Sequence, residues 1–346
     1  MIEWKKLDTL LDFEQPTPYL VKSTEYDDSY EIPVLTAGQS LLLGYTNETK
    51  GIYNASKENP TIIFDDFTTS FHWIDFDFKV KSSAMKMLRP KKDVNFRFVY
   101  YSMCGINFVP GGHQRHWISK YSQFEIPMPA PSEQNRIVGI LDTFTASIDN
   151  LKEQIAQRRK QYEYYRDQLL DLEGKEGVEM KTLGEILQVK KGDYITKKEA
   201  KEGIFPVILG GKEPAYFIDR YNHTGKAIVI SRSGASAGYV SFWDEPIFVT
   251  DGFLIEPKDN VSIEYLYYLL KSKQRELHGA QKGGAIPHVT PAIIEAIDTA
   301  LPDKLTQQRI VSILDTFEAS IQNLEAQLSQ REKQYEYYRN KLLTFE

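Results

Sequence analysis

Four groups of residues carry side chains that could do chemistry, but none has the spacing that a reaction centre needs. His113 and His116 could bind a metal ion, yet no partner cysteines and no His-Glu-x-x-His pattern accompany them. The acids at 65–66 could act as paired carboxylates, but the chain repeats itself, and its second copy has serine and arginine there. Positions 210–212 lack the rest of a phosphate-binding loop, and the serines of 231–233 lack a Gly-x-Ser-x-Gly pattern. We therefore predict a chain without a catalytic centre, metal or cofactor of its own.

Basic residues are concentrated in two stretches that could hold a phosphate backbone. Residues 79–97 contain seven lysines and arginines and one acid, Asp93, and residues 271–282 contain four basic residues and one acid, Glu276. Such charges position DNA without specifying its sequence. The alternative is that they form an ordinary solvated surface.

Three loops differ between the two copies of the repeat, which suits the reading of different bases. Residues 36–39 correspond to 210–212, residues 65–69 to 231–235, and residues 113–115 to 285–287. Arginine pairs well with guanine and glutamine with adenine in the major groove. The residues that we predict to contact DNA are Thr36, Gln39, Asp66, Thr68, Thr69, Lys79, Lys81, Lys91, Lys92, His113, Gln114, Arg115, Lys191, Lys212, Ser231, Arg232, Ser233, Lys282 and His288.

The whole chain is a tandem duplication. Residues 136–170 match residues 309–343 at 25 of 35 positions without a gap, and fainter matches precede both segments in the same order. The two near-identical segments predict helices that bind the same partner, whereas the diverged globular parts predict two different targets. Gene conversion limited to the helical segments is the alternative.

Each near-identical segment has a heptad seam, which predicts a long helix. The seams comprise Ile137, Leu141, Phe144, Ile148, Leu151, Ile155 and Tyr162, and then Ile310, Leu314, Phe317, Ile321, Leu324, Leu328 and Tyr335. Forty helical residues span roughly 60 Å, so a globular unit cannot bury its own seam. The simplest partner is the other helix.

Chain connectivity predicts the direction of this pairing. Helix one leads away from the first globular unit, so helix two must run back from the second. We therefore predict an α+β fold: two mixed α/β globular units joined by two long helices that form an antiparallel coiled coil with pseudo-twofold symmetry. The predicted segments are 1–131 and 174–303 for the globular units and 132–173 and 304–346 for the helices. A parallel coiled coil between two chains is the alternative.

Within the globular units, apolar or alternating runs at 61–64, 71–81, 227–231, 239–243 and 248–255 predict strands, and 94–103 and 262–270 predict helices. Two similar readers on a rigid spacer suit a bipartite site in double-stranded DNA.

Composition agrees with a globular protein. The 346 residues include 42 Lys and Arg against 48 Asp and Glu, a net charge of −6, which excludes a wholesale polycation. The single cysteine, Cys104, fits a reducing compartment. No apolar run reaches the roughly 18 residues of a membrane span, and the start does not resemble a signal peptide. These features predict a cytoplasmic protein.

The segments 124–142 and 301–315 resemble the conserved region of type I restriction–modification specificity subunits. In each, a proline precedes a Gln-x-Arg-Ile-Val pattern that opens a heptad helix. Residues 4–7, 230–234 and 283–288 resemble the target-recognition domains of that family.

The resemblance implies a non-catalytic subunit whose two target-recognition domains read unlike half-sites across a fixed gap. It implies that the helices set this gap and dock two copies of a modification subunit, the methyltransferase. A translocase–nuclease subunit would join for cleavage. S-adenosylmethionine, ATP and Mg²⁺ would belong to those partners. The alternatives are a two-headed protein–protein adaptor without DNA recognition and a self-sufficient DNA enzyme, for which the sequence has no recognisable cofactor site.

Overall fold

The computed structural model describes residues 2–38, 40–112, 114–196, 200–211, 213–279 and 288–345. Internal contacts divide the chain into two units, one formed by Met1–Asn150 with Leu328–Glu346 and the other by Leu151–Gln327. Each long helix is therefore divided between the units, whereas the sequence-based boundaries treated each helix as a segment of its own.

Unit 1 contains two sheets and a strand pair. Its elements are β1 (Glu3–Lys6), α1 (Leu7–Leu10), β2 (Leu11–Glu14), β3 (Ile32–Leu35), β4 (Leu42–Thr46), β5 (Thr61–Asp65), β6 (Phe71–Ile74), β7 (Lys79–Val80), β8 (Met85–Pro90), α2 (Phe96–Cys104), β9 (Glu125–Met128) and the first half of α3 (Pro131–Leu170). Strands β2, β8, β5 and β6 form an antiparallel sheet in that order. Strands β4, β3 and β7 form a second sheet, and β1 pairs with β9.

The central strand β5 is buried on both faces, which explains its continuous apolar run. Ile62 and Phe64 pack in the cluster that contains Val99 of α2, whereas Ile63 packs in the cluster that contains Val80 of β7. Successive side chains of a strand point to opposite faces. The four-stranded sheet thus has the helix on one side and the three-stranded sheet on the other.

Unit 2 repeats these elements in the same order. They are β10 (Glu179–Thr182), α4 (Leu183–Ile186), β11 (Leu187–Lys191), β12 (Phe205–Ile208), β13 (Tyr216–Ile218), β14 (Lys226–Ser231), β15 (Val240–Asp244), β16 (Phe248–Val249), β17 (Gly252–Pro257), α5 (Ile263–Ser272), α6 (Gln274–Gly279), α7 (Pro291–Glu295), β18 (Asp298–Leu301) and the first part of α8 (Lys304–Leu343), whose last part belongs to unit 1. The sheet orders β11–β17–β14–β15 and β13–β12–β16 reproduce those of unit 1, and β10 pairs with β18. The duplication is confirmed; α7 takes the place of a short 3-10 helix at Tyr121–Gln123 in unit 1, and α6 has no helical counterpart among the described residues of unit 1.

Two predicted strands are interrupted in the same manner. Residues 71–81 form β6 and β7, and residues 248–255 fall on β16 and β17. In each case the chain leaves one sheet and joins the other. The break in unit 2 contains Asp251, which has a left-handed backbone with φ +42°.

In each unit the segments of α3 and α8 run antiparallel. In unit 1, Phe144 stacks on Tyr338 with ring centroids 5.3 Å apart. In unit 2, Arg159 pairs with Glu325 at 2.5 Å, and Tyr165 stacks on Phe317 at 5.4 Å, so rising numbers in α3 meet falling numbers in α8. The predicted antiparallel pairing is confirmed. Among the described residues, no helix is both long and apolar enough to cross a membrane.

The seam positions of both helices are buried or half-buried. The most enclosed are Ile137 and Leu141 of α3 and Ile310 and Leu314 of α8. Each of these pairs packs in a cluster with residues of α2 or α5 as well as of the long helices. Seam burial within a unit therefore involves the globular part in addition to the other helix.

A buried glutamine fixes the start of each long helix. The side-chain amide of Gln134 donates to the carbonyl of Pro129 at 2.8 Å, and that of Gln307 donates to the carbonyl of Pro302 at 3.0 Å. Burial of an amide side chain requires hydrogen-bond partners. The Gln-x-Arg-Ile-Val pattern therefore has a structural reason in both copies.

Candidate nucleic-acid interface and helix surface

Three loops that overlap the segments singled out by the sequence lie together in unit 1: loop A (the described residues 36–38 and 40–41), loop B (66–70) and loop C (114–117). Loops A and B are joined because the Ser70 hydroxyl donates to the carbonyl of Ala37. His72, at the start of β6, places its ring Nε2 2.8 Å from the carbonyl oxygen of Gly38. Backbone and side-chain hydrogen bonds thus bring together segments that are about thirty residues apart in sequence.

Loop C is joined to loop B through Asp66. The backbone N–H of His116 donates to the Asp66 carbonyl at 2.8 Å, and that of Trp117 donates to Asp66 Oδ1 at 2.8 Å. Of the residues predicted to contact DNA, Thr68, Gln114 and Arg115 are exposed in these loops, and Thr36 is half-buried with its hydroxyl donating to the carbonyl of Ser40.

The prediction that Asp66 and Lys79 contact DNA is wrong, because both are buried in ion pairs. Asp66 and Lys86 are each 1% exposed, with Lys86 Nζ 3.1 Å from Asp66 Oδ2. Lys79 is 2% exposed, lies 3.2 Å from Glu48, and donates to the carbonyl of Lys50 at 2.6 Å. These charges stabilise the interior of unit 1 instead of meeting a phosphate.

Two further predicted contacts, Ser231 and Thr69, are buried, and a third, Lys91, is bonded within its unit. Ser231 is fully buried, and Thr69 is nearly so and donates its hydroxyl to the carbonyl of Thr68. Lys91 is half-buried and donates to the carbonyl of Asp8 in α1, as Lys258 does to Gly184 in α4. Burial contradicts the predicted contacts of Ser231 and Thr69, whereas Lys91, whose side chain is 38% exposed, stays a prediction.

Three predicted lysines are exposed, and four predicted residues fall outside the described part of the chain. Lys81, Lys92 and Lys191 are exposed on the surface of their units and stay predictions. Gln39, His113, Lys212 and Lys282 lie outside the residues that the structure describes.

Unit 2 brings together the corresponding loops: loop A′ (209–211), loop B′ (232–236) and loop C′ (288–289). The backbone N–H of Val289 donates to the carbonyl of Arg232 at 3.0 Å, and Ser233 and His288 form a β-bridge. The N–H of Thr250 donates to the carbonyl of Ile208, just before loop A′, at 3.0 Å.

Asp251 joins this site and was missed from the sequence. Its carboxylate accepts a hydrogen bond from the Ser233 hydroxyl and lies 3.7 Å from Nη1 of Arg232. Both side chains are 40% exposed, so the guanidinium lies beside the carboxylate and is accessible to solvent. A carboxylate without a motif around it carried no signal in the sequence.

Loops B and B′ have the same frame and opposite charges. The carbonyl of Asp66 accepts from the N–H of His116 in unit 1, and the carbonyl of Arg232 accepts from the N–H of Val289 in unit 2. The backbone position is therefore shared, but a buried carboxylate in one unit is replaced by a partly exposed guanidinium in the other. The two units present different chemistry at equivalent places.

The loops carry different residues at equivalent positions, whereas one stripe along the outer faces of α3 and α8, the shared stripe, carries identical residues. Its nine positions recur at heptad spacing and are Arg136, Ile140, Thr143, Ser147, Asn150, Gln154, Gln157, Gln161 and Tyr164. All nine are identical in α8, from Arg309 to Tyr337, and most are exposed in both helices. The flank on the other side of the seam includes Asp142 and faces α2. Of its nine positions, which recur at heptad spacing from 138 to 166, four carry the same residue in both helices.

This contrast bears on why the helices are alike. Uniform gene conversion would copy both flanks equally, whereas here the identities favour the flank that points away from the globular part. Within each unit the stripe supplies the same side chains. Unit 1 has Ile140, Thr143 and Ser147 of α3 with Gln330, Gln334 and Tyr337 of α8; unit 2 has Ile313, Thr316 and Ser320 of α8 with Gln157, Gln161 and Tyr164 of α3.

Known proteins share the sequence pattern and the fold of this chain. A family model described as the type I restriction modification DNA specificity domain matches residues 1–158 and again residues 175–332. The chain is 38% identical over 384 aligned residues to the type I restriction enzyme EcoR124I/EcoR124II specificity subunit of Escherichia coli, which covers 99% of this chain and 94% of that protein.

A putative type I restriction enzyme specificity subunit of Haemophilus influenzae is 29% identical over 379 aligned residues, covering 99% of this chain and 96% of that protein. The crystal structure of a type I restriction–modification S subunit from M. genitalium superposes with a TM-score of 0.69 at 20% identity, covering 100% of this chain and 97% of that one. The structural likeness shows a common fold, and the sequence matches extend along both copies of the repeat.

Proposed function

This chain belongs to the type I restriction–modification DNA specificity family, and from that premise we propose which part of the chain recognises DNA and which part binds the partner subunits. It is a non-catalytic specificity subunit, and each unit reads one half of a bipartite site in double-stranded DNA. The observation that carries this assignment is the shared backbone frame of loops B and B′, around which the accessible side chains differ, with Thr68 and Gln114 in unit 1 and Arg232 in unit 2. Such loops hold position while they differ in what they read.

The shared stripe supports docking of two copies of one methyltransferase subunit. Because each unit carries the same six side chains on its helix segments, one partner surface fits both. Heptad spacing matches the packing of a further helix along the stripe. The helices then hold the partners and set the gap between the half-sites, and a translocase–nuclease subunit joins this assembly for cleavage.

The chemistry of the complex belongs to those partners. S-adenosylmethionine binds the methyltransferase subunits, and ATP and Mg²⁺ bind the translocase–nuclease subunit. The complex acts in the cytoplasm, which agrees with a chain whose single cysteine suits a reducing compartment.

Methylation mapping tests the division of labour. The full chain is assembled with its methyltransferase and incubated with genomic DNA, and methylated adenines are mapped. We expect one motif with two specified halves and an unspecified gap. Exchange of residues 174–303 for the equivalent segment of a relative should change one half only. A motif without a gap, or one that is unchanged by the exchange, contradicts the proposal.

Salt dependence separates this function from that of a protein adaptor. DNA affinity that depends on phosphate contacts falls steeply on a log–log plot against salt concentration. An adaptor without DNA recognition would show no such slope.

Equivalent exposed threonines test partner docking. Thr143→Arg in unit 1 and Thr316→Arg in unit 2 each place a long charged side chain on one copy of the shared stripe. Each single variant should bind one methyltransferase instead of two, and the double variant none, as measured by native mass spectrometry. Ala326→Glu is the matched control, since Ala326 is exposed outside the stripe and its repeat position already carries glutamate, Glu153. Two bound copies in the double variant would overturn the assignment.

A further inference from the structure

In both units a tyrosine of the short helix is hydrogen-bonded to an aspartate of the long helix. The hydroxyl of Tyr101 in α2 donates to Asp142 Oδ1 of α3 at 2.5 Å. The hydroxyl of Tyr268 in α5 donates to Asp315 Oδ1 of α8 at 2.6 Å. The four residues occupy equivalent positions of the duplication.

The surroundings of this contact have diverged, but the contact has not. Of the nine residues in α2, only Tyr100 and Tyr101 recur in the aligned part of α5. Arg97 donates to Asp142 at 2.7 Å in unit 1, whereas its counterpart in unit 2, Glu264, pairs instead with Lys226 at 2.6 Å. The tyrosine–aspartate bond is therefore retained where the neighbouring ion pairs were exchanged.

Both tyrosines are placed to donate at any physiological pH. Tyr101 is fully buried and Tyr268 is 2% exposed. Burial raises the pKa of each hydroxyl above its usual range, and the bonded aspartate raises it further. A hydrogen bond from a neutral donor to a carboxylate is charge-assisted and stronger than one between neutral groups.

This bond is directional, and in unit 1 the bond from Arg97 to Asp142 adds to it, whereas the apolar contacts of α2 and α5 with the long helices are not directional. Phe98 and Tyr101 pack on Ile137 and Leu141 in one apolar cluster. Apolar burial is not directional, so such a contact permits sliding and tilting of one element on the other. A hydrogen bond weakens steeply as its angle departs from linear, so it selects one inclination.

We propose that Tyr101 and Tyr268 are positioning residues that fix the inclination of each recognition part on its helix segment and thereby determine the number of base pairs between the half-sites. The inference rests on the proposed function of reading a bipartite site. One base pair corresponds to about 3.4 Å along the duplex and about 35° around it. A small change of inclination, carried to the loops, is thus enough to admit a neighbouring gap length.

The test compares methylation of DNA substrates that carry the two native half-sites with the native gap, one base pair fewer, or one more. Tyr101→Phe and Tyr268→Phe remove one hydroxyl each and keep the ring. We expect the preference for the native gap, as a ratio of kcat/KM values, to fall about tenfold in each variant, the equivalent of one lost charge-assisted hydrogen bond. The bases required in each half-site should stay the same.

Tyr265→Phe is the matched control. Tyr265 is a buried tyrosine of α5 whose hydroxyl lies 3.3 Å from the carbonyl of Ala300, inside the globular part, and its repeat position carries Phe98. This variant should keep the native gap preference. Asp315→Asn, which retains an acceptor oxygen for Tyr268, should lose less of the gap preference than Tyr268→Phe, and it replaces that variant in the test if Tyr268→Phe does not fold.

The outcomes separate the two levels of the proposal. If the unmodified complex shows no bipartite motif, the proposed function fails. If it methylates a bipartite motif, but folded Tyr101→Phe and Tyr268→Phe variants keep the full gap preference, the positioning role alone is overturned. A loss of gap preference in Tyr265→Phe equal to that in Tyr268→Phe would also overturn it, because general loosening of the fold would then explain both.

Discussion

Replacing Lys86 by methionine is the sharpest test of the interior of unit 1. Methionine has a similar length and no charge, so the change removes one partner of a buried ion pair with little change in volume. Asp66 is 1% exposed, and its carboxylate keeps the hydrogen bond from the Trp117 N–H but loses its counter-charge. The variant therefore leaves an unpaired carboxylate beneath loop B, and it also removes the hydrogen bond from Lys86 to Gln15 Oε1 at 3.2 Å.

The size of the effect follows from the distance and the burial. At 3.1 Å, Coulomb's law with an effective dielectric constant of about 20 gives an attraction of about 5 kcal/mol. Much of this attraction offsets the desolvation of the two charges, but the desolvation cost of Asp66 remains once Lys86 is gone. Breaking a buried pair on one side costs about 3–5 kcal/mol. We expect unit 1 to lose that much stability, and Lys86→Met combined with Asp66→Asn to recover most of it.

Hydrogen exchange read by mass spectrometry is the suitable measurement, because a chain with two units has no single unfolding free energy. Peptides from β5 and β8 should exchange faster in Lys86→Met, and peptides from β14 and β17 of unit 2 provide an internal control. Unchanged exchange in β5 and β8 would refute the buried-pair argument. A second result would also refute it. If Asp66→Asn changed the bases that one half-site requires and left hydrogen exchange unchanged, Asp66 would be a DNA-contacting residue.

Leu151→Lys places a charge at a buried seam position and should lower the midpoint of thermal unfolding, because burying an unpaired charge costs several kcal/mol. Ala156→Lys, at an exposed position of the same helix, should leave that midpoint unchanged. Arg232→Ala should weaken or relax recognition of one half-site by about 1–3 kcal/mol in a methylation assay, and an equal loss at both halves would contradict separate reading. Burial raises the pKa of Glu318, so the native state holds more protons than the unfolded state and unit 2 loses stability as pH rises from 4.5 through the raised pKa. Glu318→Gln, which keeps an oxygen for the Tyr162 hydroxyl, should remove that loss and stabilise unit 2 at pH 7; an unchanged pH profile of unfolding would contradict this account.

The long helices could be predicted because their signal is local and periodic. Residues such as Ile137 and Leu141 recur at heptad spacing and are buried as expected. The same periodicity continued to Tyr165 and Tyr338, yet both tyrosines are more than 40% exposed. Each stacks on a phenylalanine of the other helix with one face and leaves the rest of its ring to solvent, which spacing alone does not reveal.

The basic stretch 79–97 shows where local composition misleads. Its lysines were counted as one surface, but Lys79 and Lys86 point into the interior to meet Glu48 and Asp66. Those acids lie on other strands or loops, at least twenty residues away in sequence. Only the folded chain brings such partners together, so the sequence has no local feature that separates an inward lysine from an outward one.

Asp251 could not be predicted for a related reason. Its role depends on the break between β16 and β17, where its left-handed backbone places the carboxylate beside Ser233 and Arg232. The sequence located loop B′ as a place where the repeats disagree, but not the residue that lies beside Arg232.

The comparison of loops B and B′ shows how the two units can read different bases without losing their geometry. In each unit one bond runs from the backbone of loop C or C′ to a backbone carbonyl, at Asp66 in one unit and Arg232 in the other, and in unit 1 the Trp117 N–H donates to the Asp66 carboxylate in addition. Backbone groups are the same in every residue, so the bonds to these carbonyls persist when the side chain changes from an acid to a base. A change of side chain at this position therefore need not break the backbone bond that it accepts. The Tyr101–Asp142 and Tyr268–Asp315 bonds, which we propose to fix the inclination of each recognition part on its helix segment, lie outside these loops. The bases that are read and the length of the gap can therefore change independently.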